Sequence, residues 1–162
     1  MDAITLSVLS GALAGIAEEM GAVLIRGAYS SNIKERRDCS AAVFDAEGAL
    51  VAQAEHIPVH LGAMGESVKA VMGKQIRSAE IYILNDPYRG GTHLPDITLV
   101  APWAPEAGEI AGYVAARAHH SDMGGSRPGS MPSGSTEIFQ EGLIIPPVKL
   151  AEEGRLQDGV LD

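Results

Sequence analysis

All five histidines of this chain lie in three short segments. They are His56 and His60 in "HIPVH", His93 in "THLPD", and the adjacent pair His119 and His120 in "RAHHSD". Each segment lies at the edge of a predicted strand and has an acidic residue or a glycine close by. Imidazole nitrogens and carboxylate oxygens that meet at strand ends form a mixed site, which suits Zn, Mn or Fe(II) and leaves room for a water.

The segment "NDPYRGGTHLPDITLV" carries the closest pairing of a histidine with an acid, His93 and Asp96. Because a proline lies between them and prevents a helix, the two side chains are expected to meet across a tight turn. A strand predicted over residues 110–118 ends at His119, whose ring could enter the same site from a neighbouring strand end. Asp38, just before a predicted hairpin, is the fourth candidate.

Each candidate also has an ordinary structural interpretation. A loop histidine beside an aspartate is typical of a hydrogen-bonded surface pair, an aspartate after two arginines is typical of a salt bridge, and "HIPVH" is typical of structural hydrogen bonding. These alternatives apply to His93 with Asp96, to Asp38, and to His56 with His60. The clustering of the histidines favours a metal site, but spacing alone leaves both interpretations equally open.

Other sites of chemistry are less well supported by the sequence. The segment "DMGGSRPGSMPSGS" could form an anion-binding nest or a flexible loop. It is not a phosphate-binding loop of the Walker type, and no nucleophile elbow of the G-x-S-x-G type occurs. Cys39 opens a strand rich in alanine and valine, which predicts a buried structural thiol and not a nucleophile.

The elements that must position these residues predict an α+β fold. Apolar residues recur every three or four positions from Thr5 to Arg26, which predicts a long amphipathic helix. A hairpin, a short helix and three strands follow, at residues 39–54, 63–72, 80–84, 97–102 and 110–118. We expect one domain over residues 1–162, with the helix packed on a mixed, mainly antiparallel sheet with long Gly/Pro-rich site loops. Close packing would explain Gly11, Gly15 and Gly21 inside the helix.

Composition excludes several classes of partner. The formal net charge of −9 argues against binding to nucleic acid or to an anionic membrane, since both need clustered Lys and Arg. The apolar start carries Asp2 and, further on, Glu18 and Glu19, so we expect neither a signal peptide nor a membrane helix. A single cysteine, Cys39, allows no internal disulfide and fits a cytoplasmic location.

Four stretches of the chain resemble the hydantoinase B/oxoprolinase family in their amino-acid sequences and in their order along the chain. They are "IKERRDCSAAVFDAEGALVAQAEHIPVHLGAM", "LNDPYRGGTHLPDITLV", "ARAHHSDMGGSRPGSMP" and "QEGLIIPPVKL". The resemblance runs from Ile4 to Leu150 and covers the N-terminal portion of a family whose members have several hundred residues. The family includes B subunits of ATP-dependent hydantoinases and lactamases, half of the 5-oxoprolinases, and subunits of acetone and acetophenone carboxylases.

The resemblance implies a divalent ion (Zn, Mn or Fe) and the residues that hold it. Carried onto this sequence, the ligands are Asp38, His93, Asp96 and His119, with His120 as the competing choice for the last. Gly90 and Gly91 would then let the loop backbone bend close to the ion. One departure is that "KQIRSAEIYILNDPY" lacks the Pro-Gly-Asp turn that the family leads us to expect before the strand.

The implied activity is ATP-coupled hydrolysis of a small cyclic amide such as a hydantoin, 5-oxoproline or a lactam. A hydantoinase A-like partner subunit would use ATP to phosphorylate the substrate, in a hetero-oligomer. Water activated by the ion would then attack the substrate, with His120 or Asp122 as general base or as an orienting residue. Two alternatives stay open: a subunit of an ATP-dependent ketone carboxylase of the acetone carboxylase type, and a non-catalytic assembly fragment.

Overall fold

A computed structural model describes residues 2–55, 60, 62–105 and 109–161 of the chain. Within these ranges the chain forms four α-helices and seven strands, with one 3₁₀ turn at Ile138–Gln140. The helices are α1 (Ala3–Gly27), α2 (Ser31–Lys34), α3 (Met64–Met72) and α4 (Asp158–Leu161). The strands are β1 (Cys39–Asp45), β2 (Leu50–Glu55), β3 (Glu80–Leu84), β4 (Asp96–Trp103), β5 (Gly112–His119), β6 (Val148–Glu152) and β7 (Arg155–Leu156).

The seven strands form one sheet in the order β2-β1-β5-β4-β3-β6-β7. Each neighbouring pair is antiparallel. Helix α1 contacts β1 and β2, whereas α3 contacts β4 and β5. The predicted α+β class, with a long N-terminal helix on a mainly antiparallel sheet, is confirmed.

The face of the sheet under α3 carries the main core. Side chains alternate across a strand, so every second residue of β1, β4 and β5 points to this face. The buried cluster consists of Ala42, Phe44, Met64, Val68, Val71, Ile76, Tyr82, Leu84, Val100, Tyr113 and Ala115. The polar residues considered below lie at the end of this same face, so they lie beside a close-packed core.

Helix α1 packs less closely than its sequence predicts. Only Ala17 and Gly21 are buried, against a cluster that includes Val43 and Ala54. Much of the predicted apolar stripe faces solvent: Leu6 is 56% exposed, Leu9 47%, Ile16 47% and Val23 55%. Close packing also does not explain two of the three glycines, because a Cβ at Gly11 or Gly15 would meet nothing within 4 Å. Gly21, the third of these glycines, is buried.

Helix α1 is long and apolar enough to cross a membrane, by length and composition only. Signal sequences and the core helices of soluble proteins meet the same criterion. In this fold the helix lies along β1 and β2 and begins at Asp2, whose carboxylate accepts a hydrogen bond from Thr5 N. The expectation that it is not a membrane helix stays a prediction.

A buried carboxylate at the start of β3 makes the fold sensitive to acid. Burial alone would raise the pKa of Glu80, but hydrogen bonds from Lys149 and Arg77 outweigh burial and lower the pKa to about 2. A depressed pKa contributes stability above the ordinary value near 4.5, and the contribution is lost as pH falls toward 2.

We therefore expect Glu80→Gln to lower the free energy of unfolding by about 2 kcal/mol at pH 7. This loss of stability is smaller than the pKa change alone would give. The Arg77 side chain is 70% exposed, so solvent screens its interaction with Glu80. Urea denaturation at pH 7, 5, 3 and 2 checks this, and the gap between the variant and the wild type should close below pH 5. An equal gap at pH 7 and pH 2 would contradict the ionic origin of the effect.

Candidate metal centre

The register of β4 and β5 brings an aspartate and a histidine together at the end of the sheet. Asp96, the first residue of β4, lies directly opposite His119, the last residue of β5. Directly opposed side chains in an antiparallel pair point to the same face. The Nδ1 atom of His119 lies 3.1 Å from Oδ1 of Asp96. The expectation that this ring enters from a neighbouring strand end is thus met.

The turn before β4 adds a second histidine to the same carboxylate. Asp96 N donates to the carbonyl of His93 at 3.0 Å, which closes the turn that the proline favours. The His93 Nδ1 atom then lies 3.1 Å from Asp96 Oδ2, and Thr92 Oγ1 donates to that oxygen at 2.8 Å. The rings of His93 and His119 have centroids 5.1 Å apart. The imidazoles of His93 and His119 therefore lie against different oxygens of Asp96.

Charge in this cluster is concentrated on Asp96, which is 1% exposed. Burial would raise the pKa of Asp96, but the nearby imidazoles of His60 and His93 and the hydrogen bond from Thr92 outweigh burial and lower the pKa far below its ordinary value. The hydrogen bond with Asp96 raises the pKa of His93. The carboxylate is thus kept ionised inside the protein, in a form that can bind a cation.

A further histidine, His60, completes the cluster from the side of β1. It is 1% exposed, and its Nε2 lies 3.5 Å from Asp96 Oδ2 and 3.8 Å from Asp38 Oδ1. Its Nδ1 lies 2.9 Å from Ser40 Oγ. From the sequence His60 was expected to form structural hydrogen bonds and was not among the predicted ligands; its chain separation from Asp96 gave no signal for this meeting. His56, its partner in "HIPVH", lies outside the described residues.

Asp38 joins the cluster through the backbone as well as through its side chain. Its carbonyl accepts a hydrogen bond from His119 N at 3.0 Å, which fixes the start of β1 beside the end of β5. The salt bridge with Arg36 or Arg37 that its sequence context favours is absent from the part of the chain that the structure describes. Its Oδ1 instead lies 3.8 Å from Nε2 of His60.

These residues fit a divalent ion. One ligand atom each from His93, Asp96 and His119 can be chosen so that all three lie within 4.8 Å of one another. Two buried atoms beside them, Asp38 Oδ1 and His60 Nε2, have no hydrogen-bond partner. Buried polar atoms ordinarily have a partner, so unpaired atoms next to a ligand cluster favour a missing cation or water. The nitrogen and carboxylate donors suit Zn, Mn or Fe.

The two glycines of the loop before Asp96 are required by the close packing of the loop backbone. A Cβ on Gly90, whose φ is +96°, would lie 2.7 Å from the carbonyl oxygen of Glu66 in α3. A Cβ on Gly91 would lie 2.2 Å from the carbonyl oxygen of Asn85. The expectation that these glycines let the backbone bend close to the ion is replaced by a different reason: they let the loop fold on itself and against α3.

Two buried polar side chains hold this loop in place. Asn85, which is fully buried, donates to the carbonyls of Leu94 and Leu143 and accepts from Ile145 N. Arg117, also fully buried, donates to Thr98 Oγ1 and Ser67 Oγ, and Ser67 donates to the carbonyl of Gly90. Burial lowers the pKa of Arg117. The loop is thus tied to β4, β5 and α3 at once.

His120 lies apart from the cluster although it follows His119 in the chain. It lines an apolar cavity of about 570 Å³ between the end of α1 and strands β4 and β5. Burial, followed by the neighbouring His119, lowers the pKa of His120, so its imidazole is neutral at pH 7. Of the two adjacent histidines, it is thus the ring of His119 that lies beside Asp96, whereas the ring of His120 lines the cavity.

Asp122, the other residue expected to act as a base, is occupied by its own loop. Its carboxylate accepts hydrogen bonds from Gly129 N, Gly124 N and Ser130 Oγ, and these bonds lower the pKa of Asp122. A carboxylate held ionised in this way is a weak base at neutral pH. In the described structure the carboxylate closes the glycine-rich loop. Cys39 is fully buried, as predicted for a structural thiol.

Comparison with known proteins identifies relatives along the whole described chain. The sequence model of the family described as Hydantoinase B/oxoprolinase matches residues 2–162. An uncharacterised protein of Methanocaldococcus jannaschii is 49% identical in an alignment 168 residues long, which covers 100% of this chain and 30% of that protein. The 5-oxoprolinase of Dictyostelium discoideum is 44% identical over 161 residues, 98% of this chain and 13% of that protein. The chain thus spans less than a third of these relatives.

Two solved structures share the fold. The crystal structure of ATP-dependent caprolactamase from Pseudomonas jessenii matches with a TM-score of 0.89 at 33% identity, over 99% of this chain and 28% of that chain. Nucleotide-free acetone carboxylase matches with a TM-score of 0.89 at 24% identity, over 98% of this chain and 21% of that chain. At this lower identity the second likeness concerns the fold alone.

Proposed function

Because the chain belongs to the hydantoinase B/oxoprolinase family, we propose that it forms the metal-binding part of an enzyme that hydrolyses a cyclic amide at the expense of ATP. The observation that carries the proposal is the cluster around Asp96, where the imidazoles of His93 and His119 face one buried carboxylate beside an unpaired buried oxygen of Asp38. The relatives named 5-oxoprolinase and caprolactamase support a hydantoin, 5-oxoproline or lactam as the substrate class.

The ion would be held by Asp38, His93, Asp96 and His119. When bound, a divalent ion polarises a carbonyl or phosphoryl oxygen and lowers the pKa of water. The chain's own residues prepare that site: Asp96 supplies a carboxylate that stays ionised although buried, and the hydrogen bonds from Thr92 and the turn at His93 fix its orientation. Orientation of ligands before binding reduces the conformational cost of capturing the ion.

His120 is the residue that we assign as general base. Its imidazole is half-buried and neutral, it follows His119 directly in the chain, and it lines an apolar cavity on the face of the sheet opposite to the one that carries Asp96. A neutral imidazole has a lone pair on one ring nitrogen with which it can accept a proton from water. Asp122 then has the role of holding the glycine-rich loop in shape through Ser130 and two backbone amides.

We expect His120→Ala to reduce kcat by about 10²- to 10⁴-fold, the range for loss of a general base, with little change in metal content. Asp122→Asn retains the size of the side chain and should reduce kcat far less. Steady-state rates and metal content of both variants, in the complete enzyme, check the assignment. Equal losses in the two variants would contradict it, and so would loss of the ion from His120→Ala.

An ATP-binding partner of the hydantoinase A type, in a cytoplasmic hetero-oligomer, is part of the proposal. The relative named caprolactamase subunit beta supports a second subunit. The apolar side chains that α1 exposes, such as Leu6 and Val23, also support burial in a larger assembly. Ketone carboxylation and a non-catalytic role are the alternatives, and no feature of the cluster favours either of them.

The proposal is tested by ATP-dependent hydrolysis of 5-oxoproline, hydantoin and caprolactam by the full complex, with and without chelator. His93→Ala should bind less metal, and its rate should fall by more than about 100-fold. That is more than the loss of a residue that only orients the ligands would cause. Release of one ring-opened product per ATP supports hydrolysis. Dependence of ATP turnover on bicarbonate would move the carboxylase alternative ahead, and full activity of His93→Ala would favour the non-catalytic role.

A further inference from the structure

His60 is a buried histidine that the proposed function does not use. The ring is 1% exposed and lies between β1 and the turn that precedes β4. One nitrogen, Nδ1, contacts Ser40 Oγ at 2.9 Å, and the other, Nε2, has no partner at hydrogen-bond distance. The nearest charged atoms to Nε2 are Asp96 Oδ2 at 3.5 Å and Asp38 Oδ1 at 3.8 Å. The ring therefore reaches both carboxylates that would bind the ion.

The surroundings of the ring favour one tautomer. A carboxylate oxygen only accepts hydrogen bonds, so the nitrogen that faces Asp38 and Asp96 is favoured to carry the proton. Nδ1 is then an acceptor, and Ser40 is its donor because a hydroxyl can rotate to donate. In the opposite tautomer a lone pair on Nε2 would face two negative carboxylates. Ser40 thus directs the Nε2–H group of His60 toward the space between them.

We propose that His60 is a positioning residue that holds the carboxylates of Asp38 and Asp96 in the arrangement that binds the ion, without binding the ion itself. This inference rests on the proposed metal site. Asp38 precedes β1 and Asp96 begins β4, so the two carboxylates come from strands that are not neighbours in the sheet. Nε2 of His60 lies within 4 Å of an oxygen of each carboxylate, and its N–H offsets part of their mutual repulsion.

Removal of such a partner costs affinity in a characteristic range. Loss of a residue that orients metal ligands lowers affinity by about 10- to 100-fold, and it leaves the ligands themselves unchanged. His60→Ala should therefore weaken Mn²⁺ binding by that factor and leave the same nitrogens on the ion, those of His93 and His119. His60→Gln should recover most of the affinity, because an amide can accept from Ser40 and donate to the carboxylates.

The experiment measures Mn²⁺ binding to the full chain by the EPR signal of the free ion, and counts coupled ¹⁴N nuclei on the bound ion by pulsed EPR. Ser40→Ala should weaken binding less than His60→Ala, since it removes only the group that directs the ring. Val68→Ala, in the neighbouring core and fully buried, is the matched control: it should lower the melting temperature and leave Mn²⁺ affinity unchanged.

The outcomes separate this inference from the function on which it rests. Wild-type chain that binds no Mn²⁺ would overturn the metal site and the role of His60 with it. If the wild type binds Mn²⁺ and His60→Ala removes one coupled nitrogen, His60 is a ligand and the positioning role is wrong. Unchanged affinity in His60→Ala, or an equal loss in Val68→Ala, would show that His60 only fills the core.

Discussion

Asp96→Asn is expected to abolish high-affinity binding of a divalent ion. The affinity should fall by more than about 100-fold, which is more than the loss of a residue that only orients the ligands would cause. Asp96 is the one carboxylate whose two oxygens face different imidazoles, at 3.1 Å each. An asparagine keeps the size of the side chain, but its amide carries no charge and presents N–H donors to one of the rings. The turnover of the full complex should fall at least as far as the affinity.

Titration with Zn²⁺ or Mn²⁺ and metal analysis of the purified chain check this expectation. Asp122→Asn is the matched control, because it makes the same change at an exposed carboxylate whose bonds stay within its own loop. The removed charge of Asp96 also raised the pKa of His93, so that ring should titrate closer to its ordinary value in the variant. Retained affinity in Asp96→Asn would mean that Asp96 is not a ligand.

The meeting of Asp96 with His93 and His119 follows from local sequence. A proline-containing turn and two strand ends were sufficient to place the three side chains together, since an antiparallel register aligns the start of one strand with the end of its neighbour. The residues alone also made Asp38 a fourth candidate, but left a metal site and a structural role equally open; the resemblance to a family is what implies that the four residues bind an ion together. The geometry favours His119 over His120 as a ligand, because their rings point to different surroundings.

What the sequence did not predict depends on contacts between distant segments. His60 reaches Asp96 across 36 positions of the chain, and no periodicity in the sequence encodes that approach. The same holds for Arg117, whose guanidinium bridges Thr98 and Ser67 beneath the loop. The exposure of α1 was missed for a related reason: an apolar stripe predicts what a helix can bury, and here the sheet covers only part of it.

Gly91→Ala is expected to destabilise the fold by about 3 kcal/mol, the upper end of what an overpacked core costs. An added Cβ would lie 2.2 Å from the carbonyl oxygen of Asn85 and 2.8 Å from that of Asp86, and both are backbone atoms that cannot rotate away. Gly91 N also donates to the Asp86 carbonyl at 2.8 Å, so relief of the clash would open the turn. Because that turn leads directly to the cluster, metal affinity should fall together with stability.

Urea denaturation of Gly91→Ala and of Gly11→Ala provides a matched pair, since both replace glycine by alanine. At Gly11, inside α1, a Cβ meets nothing within 4 Å, and alanine has the higher helix propensity by up to about 1 kcal/mol. Gly11→Ala should therefore be neutral or stabilising and should bind metal as the wild type does. If Gly91→Ala unfolds within about 0.5 kcal/mol of the wild type, the range of an ordinary surface substitution, the loop is not packed as tightly as its backbone contacts require. In that case the strands alone, and not the loop, would hold the side chains of the cluster around Asp96 in position.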